Sequence, residues 1–432
     1  MKCGGTAGTP PAHTGRATVR RRRAWCESCR TNSQRNVGEH VRLAGWVHSR
    51  RDLGAVSFLV LRDRGGLAQI VSSEPLDFVP ETVIEVEGQV VAAGQAPAGV
   101  ELQQPSFRVL ATPVEQPPVE LRRPILKETL PVLLDFAPVA LRHPRERAKF
   151  ELAAASVAGF RHTLDRLGFT EISTPKIVAS ATESGANVFA IDYFDRAAFL
   201  AQSPQFYKQT MVGVFERVYE TGPVFRAEPH DTARHLAEYT SLDAEIGFIR
   251  DHFDVMQVVR EAVSAMVEAM RERAGTAIEL LAIELPEVPD EIPWVHFADT
   301  GVDDVDLAPA DERRLCEEHG EWLFVTGFPM AKRPFYTHPQ PDRPAYSNSF
   351  DLLFRGMEIV TGGQRLHRFE DYVAALNGET EPYESYLQSF RYGMPPHGGF
   401  ALGLERWTAR LIDARNIRET TLFPRDLNRL SP

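Results

Sequence analysis

The sequence predicts an α+β protein of two domains, and three observations carry that prediction. Its 432 residues exceed the usual size of one domain. Residues 38 to 110 alternate apolar and polar positions in short runs divided by turns, the period of strands. From Arg145 onward helical spacing mixes with strand alternation, after a proline-dense stretch that separates the two regimes.

Composition narrows the class before any element is placed. Apolar residues make up 43% and charged residues 25%, and no apolar run is long enough to cross a bilayer, so a soluble, cytoplasmic protein without a membrane partner is expected. Net charge is −11, yet the first 36 residues hold Lys2, Arg16, Arg20, Arg21, Arg22, Arg23, Arg30 and Arg35 against the single acid Glu27. Residues 1–36 are therefore expected to form a disordered basic extension, and they lack the apolar core of a signal peptide. The acidic remainder argues against indiscriminate nucleic-acid binding while leaving room for a local basic surface that grips one polyanion. Cys3, Cys26, Cys29 and Cys316 are too few and scattered for a disulfide framework, which points to a reducing compartment. Cys26 and Cys29 have metal spacing, but no second pair follows and His13 is the only nearby candidate, so zinc is not expected.

The elements follow in order. "HVRLAGWVHS", "AVSFLVLRDRGG", "LAQIVSS", "TVIEVEGQVVAAG" and "VELQQPSFRVLA" predict five strands within residues 37–111, a barrel of the oligonucleotide-binding type or a fragment of a β-sandwich. Residues 112–144, with Pro113, Pro117, Pro118, Pro124, Pro131, Pro138 and Pro144, predict an extended linker or hinge. Residues 145–432 then form a mixed α+β domain. A helix runs from Arg145 through Leu167 and stops at Gly168, before the strand "FTEISTPKI". A second helix spans 254 to 273, with Asp254 as N-cap and Met256, Val259, Val263, Met266 and Met270 on its core face. Residues 283 to 320 are acidic and weakly periodic, and no element is assigned to them.

One stretch concentrates chemistry: "FRAEPHDTARHLAEYTSLDAE", residues 225 to 245. Alternation places Val224, Arg226 and Glu228 on one strand face, and a second strand resumes at Arg234 after the Pro229, His230, Asp231 turn, with Asp243 and Glu245 alternating against Leu242, Ala244 and Ile246. Two charged strands sharing a surface suit a ligand with both phosphate and ammonium, since arginine forks onto phosphate and carboxylates take amine hydrogens or metal. A solvated hairpin is the plainer reading of so many charges, but the alternation decides against it. Three more clusters join this one. "SPQFYKQ" sets Gln205 and Lys208 on one face of a helix starting after Pro204, "RGMEIVTGGQRLH" brackets Gly362 and Gly363 between Glu358 and Arg365, and "GGFALGLERW" leads small residues into Glu405 and Arg406. Each alone also reads as a capped helix, a hairpin turn or a packed junction.

In order and spacing, "LGFTEISTPKI", "FRAE…RHLAEYTSLDAE" and "GFALGLER" resemble the three signature motifs of class II aminoacyl-tRNA synthetases, over about Gly38 to Pro432. The resemblance is greatest to the aspartyl enzymes of the archaeal and eukaryotic type. It implies an OB-fold anticodon-binding barrel before a catalytic domain built on an antiparallel sheet, and a homodimer. It implies ATP as substrate, with Arg226 on the α-phosphate, Arg406 on the γ-phosphate, and Glu228, Arg234, His235, Leu236, Gly403, Leu404 and Glu405 completing the ATP site. Glu358 and Thr361 would hold Mg2+ on the phosphates, Thr361 standing where relatives have serine. Lys208 and Arg365 would surround the side chain of L-aspartate, with Glu183, Gln205 and Asp243 on its ammonium side and Thr361 close by. Two converging cations demand a carboxylate there. On the tRNA, Phe58 and Gln69 would meet anticodon bases. His48 and Pro97 replace the tryptophan and lysine of enzymes restricted to tRNA-Asp, which implies an enzyme that also charges tRNA-Asn. The competing readings are a regulator that has lost catalysis, which should lack Arg226, Glu358 or Arg406, and a tRNA-independent asparagine-forming enzyme, which should lack the barrel.

Overall fold

A computed structural model describes residues 36–96, 98–180, 187–229 and 231–431. The basic extension, Cys26, Cys29, Pro97, Glu183 and His230 lie outside the described residues. The chain divides between Arg123 and Pro124 into two compact units.

In the N-terminal unit, β1 (His40–Leu53), β2 (Val56–Arg62), β3 (Leu67–Ser72), β4 (Val83–Ala92) and β5 (Val100–Ala111) close a barrel in the order β1-β2-β3-β5-β4. All pairs are antiparallel except the β3–β5 closure at Ile70 and Leu102. Alternation drives it: Leu59, Leu61, Ile70, Ile84 and Val86 are buried in the barrel core, while their strand neighbours face outward. The expected barrel is present, and the sandwich fragment is not.

The second unit contains α1 (Leu130–Asp135), α2 (Ala137–Ala140), α3 (Pro144–Arg166), β6 (Thr170–Glu171), β7 (Ile177–Val178), β8 (Ala190–Tyr193), β9 (Arg196–Leu200), α4 (Gln205–Phe215), β10 (Arg217–Phe225), β11 (Glu238–Gly247), α5 (His252–Arg273) and α6 (Gly275–Leu281). It continues with β12 (Trp294–His296), α7 (Pro309–His319), β13 (Trp322–Thr326), β14 (Ser349–Phe354), β15 (Met357–Gln364), α8 (Phe369–Ala375), α9 (Glu384–Arg391), β16 (His397–Gly403) and α10 (Leu404–Leu411). Eight strands form one sheet, β12-β13-β14-β15-β16-β11-β10-β6, antiparallel at its centre with one parallel pair at each edge. β7, β9 and β8 form a small second sheet.

Several expectations shift. The stretch 112–144 contains α1 and α2, because Leu134, Ala137 and Ala140 bury apolar side chains between the prolines, and Pro131 and Pro138 sit in first helical turns where no N–H is needed. The N-cap of α5 is Asp251, which accepts from the Phe253 amide, while Asp254 stands in the first turn beside Arg250. Thr170 and Glu171 alone of "FTEISTPKI" join the large sheet. Helix α3 starts where expected, with Pro144 at its first turn and the His143 ring accepting from the Arg145 amide, and Gly168 follows its end at φ +79°.

The large sheet has two unlike faces. Tyr219, Leu242, Ala244, Phe350, Leu352, Val360, Phe400 and Leu402 pack with Phe160 of α3, Val259, Val263, Met266 and Met270 of α5 and Trp407 of α10 in the main core. Burying each valine, leucine, phenylalanine or methionine among them stabilises by roughly 1.5–3 kcal/mol. The residues between them point the other way, and that face carries Ser241, Asp243, Glu245, Thr361, Gly363, Gly399, Ala401 and Gly403 side by side. Among the described residues no helix is long and apolar enough to cross a membrane.

Candidate active site

Register assembles the polar face. Asp243 lies opposite Ala401 and Glu245 opposite Gly399, while Thr361 and Gly363 flank the same β16 positions from β15. Small residues on β16 are required by this arrangement: a Cβ on Gly399 would stand 2.0 Å from the Glu245 carboxylate and 2.2 Å from the Ala244 carbonyl. The groove they leave admits the two long cations. Lys208, on α4, reaches Asp243 Oδ1 at 2.9 Å, the Phe400 carbonyl at 2.9 Å and Glu245 Oε2 at 3.5 Å. Arg365, just past β15, donates from Nε to Glu245 Oε1 at 3.0 Å and from Nη2 to the Gly399 carbonyl at 3.0 Å. Lys208 and Arg365 thus meet at one carboxylate, in a place where Lys208 and Asp243 are each 1% exposed and Glu245 is 0% exposed. Burial works against the Arg365 charge, but Glu245, with Tyr336 and Tyr386 adding to it, holds the guanidinium above its ordinary pKa.

This geometry revises two expectations. Asp243 does not stand apart on an ammonium side; it is the partner of Lys208, and its other oxygen accepts from the Ser241 hydroxyl at 2.5 Å. The two cations are also not awaiting neutralisation, because Asp243 and Glu245 already balance them. Among the described residues the bonds of Arg365 take two of its five N–H groups, and all that remain are donors. Gln205, 5% exposed at the start of α4, keeps its amide nitrogen without a partner.

Next to this groove Arg226, Glu228, Arg234, His235, Leu236, Tyr239, Ser241, Glu358, Thr361, Gly403, Glu405 and Arg406 line one cavity. The structure brings together nearly every residue expected there. Strand β10 ends at Phe225 and β11 begins at Glu238, so Arg226, Glu228 and Arg234 stand on the loop between them, not on paired strands as expected. The loop is closed at its base, where the Arg226 amide donates to the Ala237 carbonyl at 2.9 Å. Arg226 lies 5.9 Å from the Tyr239 ring centre, Arg406 Nη1 is 3.4 Å from Glu358 Oε2, and His235 Nε2 is 3.5 Å from Glu228 Oε2. Leu404 turns instead toward the main core. Glu405 is nine-tenths buried and accepts from the Thr240 amide with both oxygens, at 3.0 and 3.1 Å, so it ties α10 to β11. Burial pushes its pKa up to about 7.

Three acids here escaped sequence reasoning. Alternation shows Glu245 only as one charged position among several, yet it joins the two cations. Asp351 on β14 lies opposite Thr361 and is 7% exposed, with Oδ1 unpartnered; burial, with Glu358 adding to it, raises its pKa to about 7 against the pull of Arg333 and the Thr361 hydroxyl. Glu312, from the segment left unassigned, sits on α7 and accepts from Arg234 Nη1 at 3.1 Å; burial and then the nearby Glu358 raise its pKa. Nothing in local spacing marks any of the three.

On the barrel, Phe58 and Gln69 fall on the outer face: Val60 pairs Gln69 and Phe58 pairs Val71, out of phase with the core residues Leu59, Leu61 and Ile70. Gln69 donates to Glu101 at 3.0 Å. His48 is nearly buried, at 9% exposed. A bulge between Val47 and Ser49 turns both Val47 and His48 inward, and His48 Nδ1 lies 3.4 Å from Arg62, which forks onto Glu81 at 2.8 and 2.8 Å.

Comparison with known proteins agrees with this architecture. Residues 131–427 match the family of class II tRNA synthetases (D, K and N), and residues 41–110 match the OB-fold nucleic acid binding domain. The chain belongs to the class II aminoacyl-tRNA synthetases. Within that class it is 45% identical to the aspartate–tRNA(Asp/Asn) ligase of Thermus thermophilus, over 92% of this chain and 98% of that protein. It is 46% identical to the protein of the same name from Deinococcus radiodurans, over 91% and 96%. Among solved structures it is similar to asparaginyl-tRNA synthetase from Pyrococcus horikoshii complexed with asparaginyl-adenylate, with TM-score 0.86, 31% identity, and coverage of 92% of this chain and 97% of that one.

Proposed function

We propose that this protein is an aspartate–tRNA ligase that charges both tRNA-Asp and tRNA-Asn. The observation carrying the amino-acid assignment is the meeting of Lys208 and Arg365 on Glu245, beside a cavity rich in arginine. A carboxylate placed between them accepts from N–H groups on both sides. An amide in the same place would point its NH2 at donors, and such a mismatch in a buried site costs orders of magnitude in selectivity. The relatives named aspartate–tRNA(Asp/Asn) ligase support the same reading and its dual tRNA range.

Adenylation needs no protein nucleophile. An oxygen of the aspartate α-carboxylate bonds to the α-phosphorus of ATP, the P–O bond to the β-phosphate breaks, and pyrophosphate leaves with the electron pair. A terminal ribose hydroxyl of tRNA then attacks the acyl carbon, the bond from that carbon to the phosphate oxygen breaks, and AMP departs with the electron pair while a phosphate oxygen takes up the hydroxyl proton. Arg226 holds the α-phosphate oxygens as they gain charge, and Arg406 the γ-phosphate. Gln205 and Glu183 orient the ammonium end, while Glu228, Arg234, His235 and Leu236 frame the adenosine and the incoming tRNA end. Positioning and charge complementarity carry the rate.

Class II tRNA synthetases use ATP with divalent metal ions. Among the described residues no group of three His, Cys, Asp or Glu side chains is arranged to hold a metal. Two carboxylates and a hydroxyl fit one nonetheless: Asp351 of β14 has an unpartnered buried oxygen, Glu358 of β15 is close enough to raise its pKa, and Thr361, also on β15, lies opposite Asp351. Mg2+ held there would neutralise phosphate charge, and hard oxygen ligands suit that ion. Phe58 and Gln69, on the outer barrel face, offer a stacking ring and an amide to unpaired bases. A homodimer built around α3 and the strand before Pro175 completes the proposal. Aminoacylation of purified tRNA-Asp and tRNA-Asn, assayed separately with aspartate, tests it. Charging of both is expected, and charging of tRNA-Asp alone would overturn the dual range.

A further inference from the structure

Behind the two cations lies a layer of buried polar groups that the adenylation chemistry does not use. Gln209 follows Lys208 on α4 and is 0% exposed. Its oxygen stands 2.8 Å from the Tyr386 hydroxyl, 3.3 Å from the Tyr372 hydroxyl and 3.2 Å from His397 Nε2, while its nitrogen has no partner. Crowding one oxygen and stranding one amide N–H is costly in a dry interior.

Hydrogen roles show how the cluster is satisfied. His397 Nδ1 lies 2.9 Å from the Pro395 carbonyl, which keeps the proton of the neutral ring on Nδ1 and leaves Nε2 an acceptor. An acceptor requires a donor opposite, so the amide must present NH2 to it. A half-turn of the carboxamide, whose oxygen and nitrogen have the same shape, achieves this. Gln209 then donates to His397 and to the Tyr386 oxygen, Tyr386 donates to Tyr372 at 2.8 Å, and Tyr372 donates to the Leu366 carbonyl at 2.9 Å. Each hydroxyl proton has one acceptor, and the displaced position now holds a carbonyl oxygen, which tolerates incomplete pairing better than an N–H.

The ends of this relay bracket the cations. Gln209 is the residue after Lys208, and Leu366 the residue after Arg365. His397 adds a second tie, because its carbonyl accepts from the Arg365 amide at 2.9 Å. Around the relay Tyr336, Tyr372, Tyr386 and Phe390 pack as a separate core, with the Tyr336 ring centre 5.6 Å from the Arg365 guanidinium. Tyr372 on α8 and Tyr386 on α9 thereby bond to the residues that follow the two cations in the chain.

We propose that Gln209 is a positioning residue for recognition of the amino-acid side chain: through Tyr386, Tyr372 and His397 it fixes the spacing between Lys208 and Arg365. The proposal rests on the aspartate-activating reading, which the wild-type protein tests by itself. Spacing matters because one small carboxylate must meet donors from two elements, and misplacement by about an ångström costs about a hundred-fold in rate.

The test is pyrophosphate exchange by the full chain with Gln209→Leu and, separately, Tyr372→Phe, which removes a single oxygen and preserves packing. Gln209→Leu is expected to raise KM for aspartate about ten-fold or more, with KM for ATP within about two-fold, and to narrow the preference for aspartate over asparagine. Tyr372→Phe should shift KM for aspartate in the same direction by about three-fold or more. Equal rises in both KM values, or an unchanged aspartate KM in either folded variant, would overturn the positioning role. Wild-type exchange that ignores aspartate would instead overturn the underlying reading.

Discussion

Replacing Lys208 with methionine removes a positive charge from a place water does not reach. Lys208 Nζ is bound to Asp243 and the Phe400 carbonyl at 2.9 Å each, and Arg365 remains to pair with Glu245. The charge left without its partner is therefore that of Asp243, which keeps only the Ser241 hydroxyl. Methionine preserves most of the stem volume, so the loss is electrostatic rather than a cavity. Breaking a buried pair from one side costs roughly 3–5 kcal/mol. For a unit of this size each kcal/mol lowers the melting temperature by about 2 °C, which gives a fall of about 6–10 °C. Changing Asp243 to asparagine in the same protein removes the stranded charge and should recover most of that fall, because a buried pair replaced whole is often near neutral. Exchange driven by aspartate should be lost in the single and the double variant alike. Thermal melts of the three proteins, beside the exchange assay, decide the matter. A single variant that melts within about 2 °C of the wild type, or a double variant no better than the single, would refute the buried-pair reasoning.

Other perturbations have equally definite outcomes. Gly399→Ala puts a methyl group 2.2 Å from the Ala244 carbonyl, which cannot yield without opening the sheet, so melts should show a loss of about 1–3 kcal/mol or more and exchange kinetics a raised KM for aspartate. Glu405 binds a proton in the native protein between its ordinary pKa of 4.5 and about 7, where the unfolded chain has released it, so stability falls as pH rises through that window. Melts across that range should fall more steeply for wild type than for Glu405→Gln, and parallel curves would remove Glu405 as the cause. Glu358→Gln should raise the Mg2+ concentration for half-maximal exchange about ten-fold or more while leaving KM for aspartate unchanged, as read by magnesium titration at saturating ATP.

The sheet was legible because its strands declare themselves by alternation. Leu242, Ala244 and Ile246 against Asp243 and Glu245 specify one apolar and one polar face, and the small residues of β16 specify that something must lie above them. Motif order then located the cavity residues around Arg226, Glu358 and Arg406. What sequence could not supply was the partner of each buried charge. Asp243 pairs with Lys208 rather than standing free, and Glu245, Asp351 and Glu312 come to the site from β11, β14 and α7, elements that only the folded sheet brings together. Burial of His48 follows from a bulge, a one-residue irregularity that alternation does not foresee. Helix α7 stayed hidden because its charged faces give little apolar period, although Leu315 anchors it in a small core with Phe297, Leu323 and Phe328. Gln209 is hidden for a similar reason, since its three neighbours come from α8, α9 and β16.

The most direct measurement is isotope exchange from pyrophosphate into ATP by the purified wild-type protein, run with aspartate, with asparagine and with neither. Donors of Lys208 and Arg365 converging beside the ATP cavity require exchange with aspartate and background levels in the other two reactions. Exchange as fast with asparagine would contradict the account of how this groove selects its amino acid.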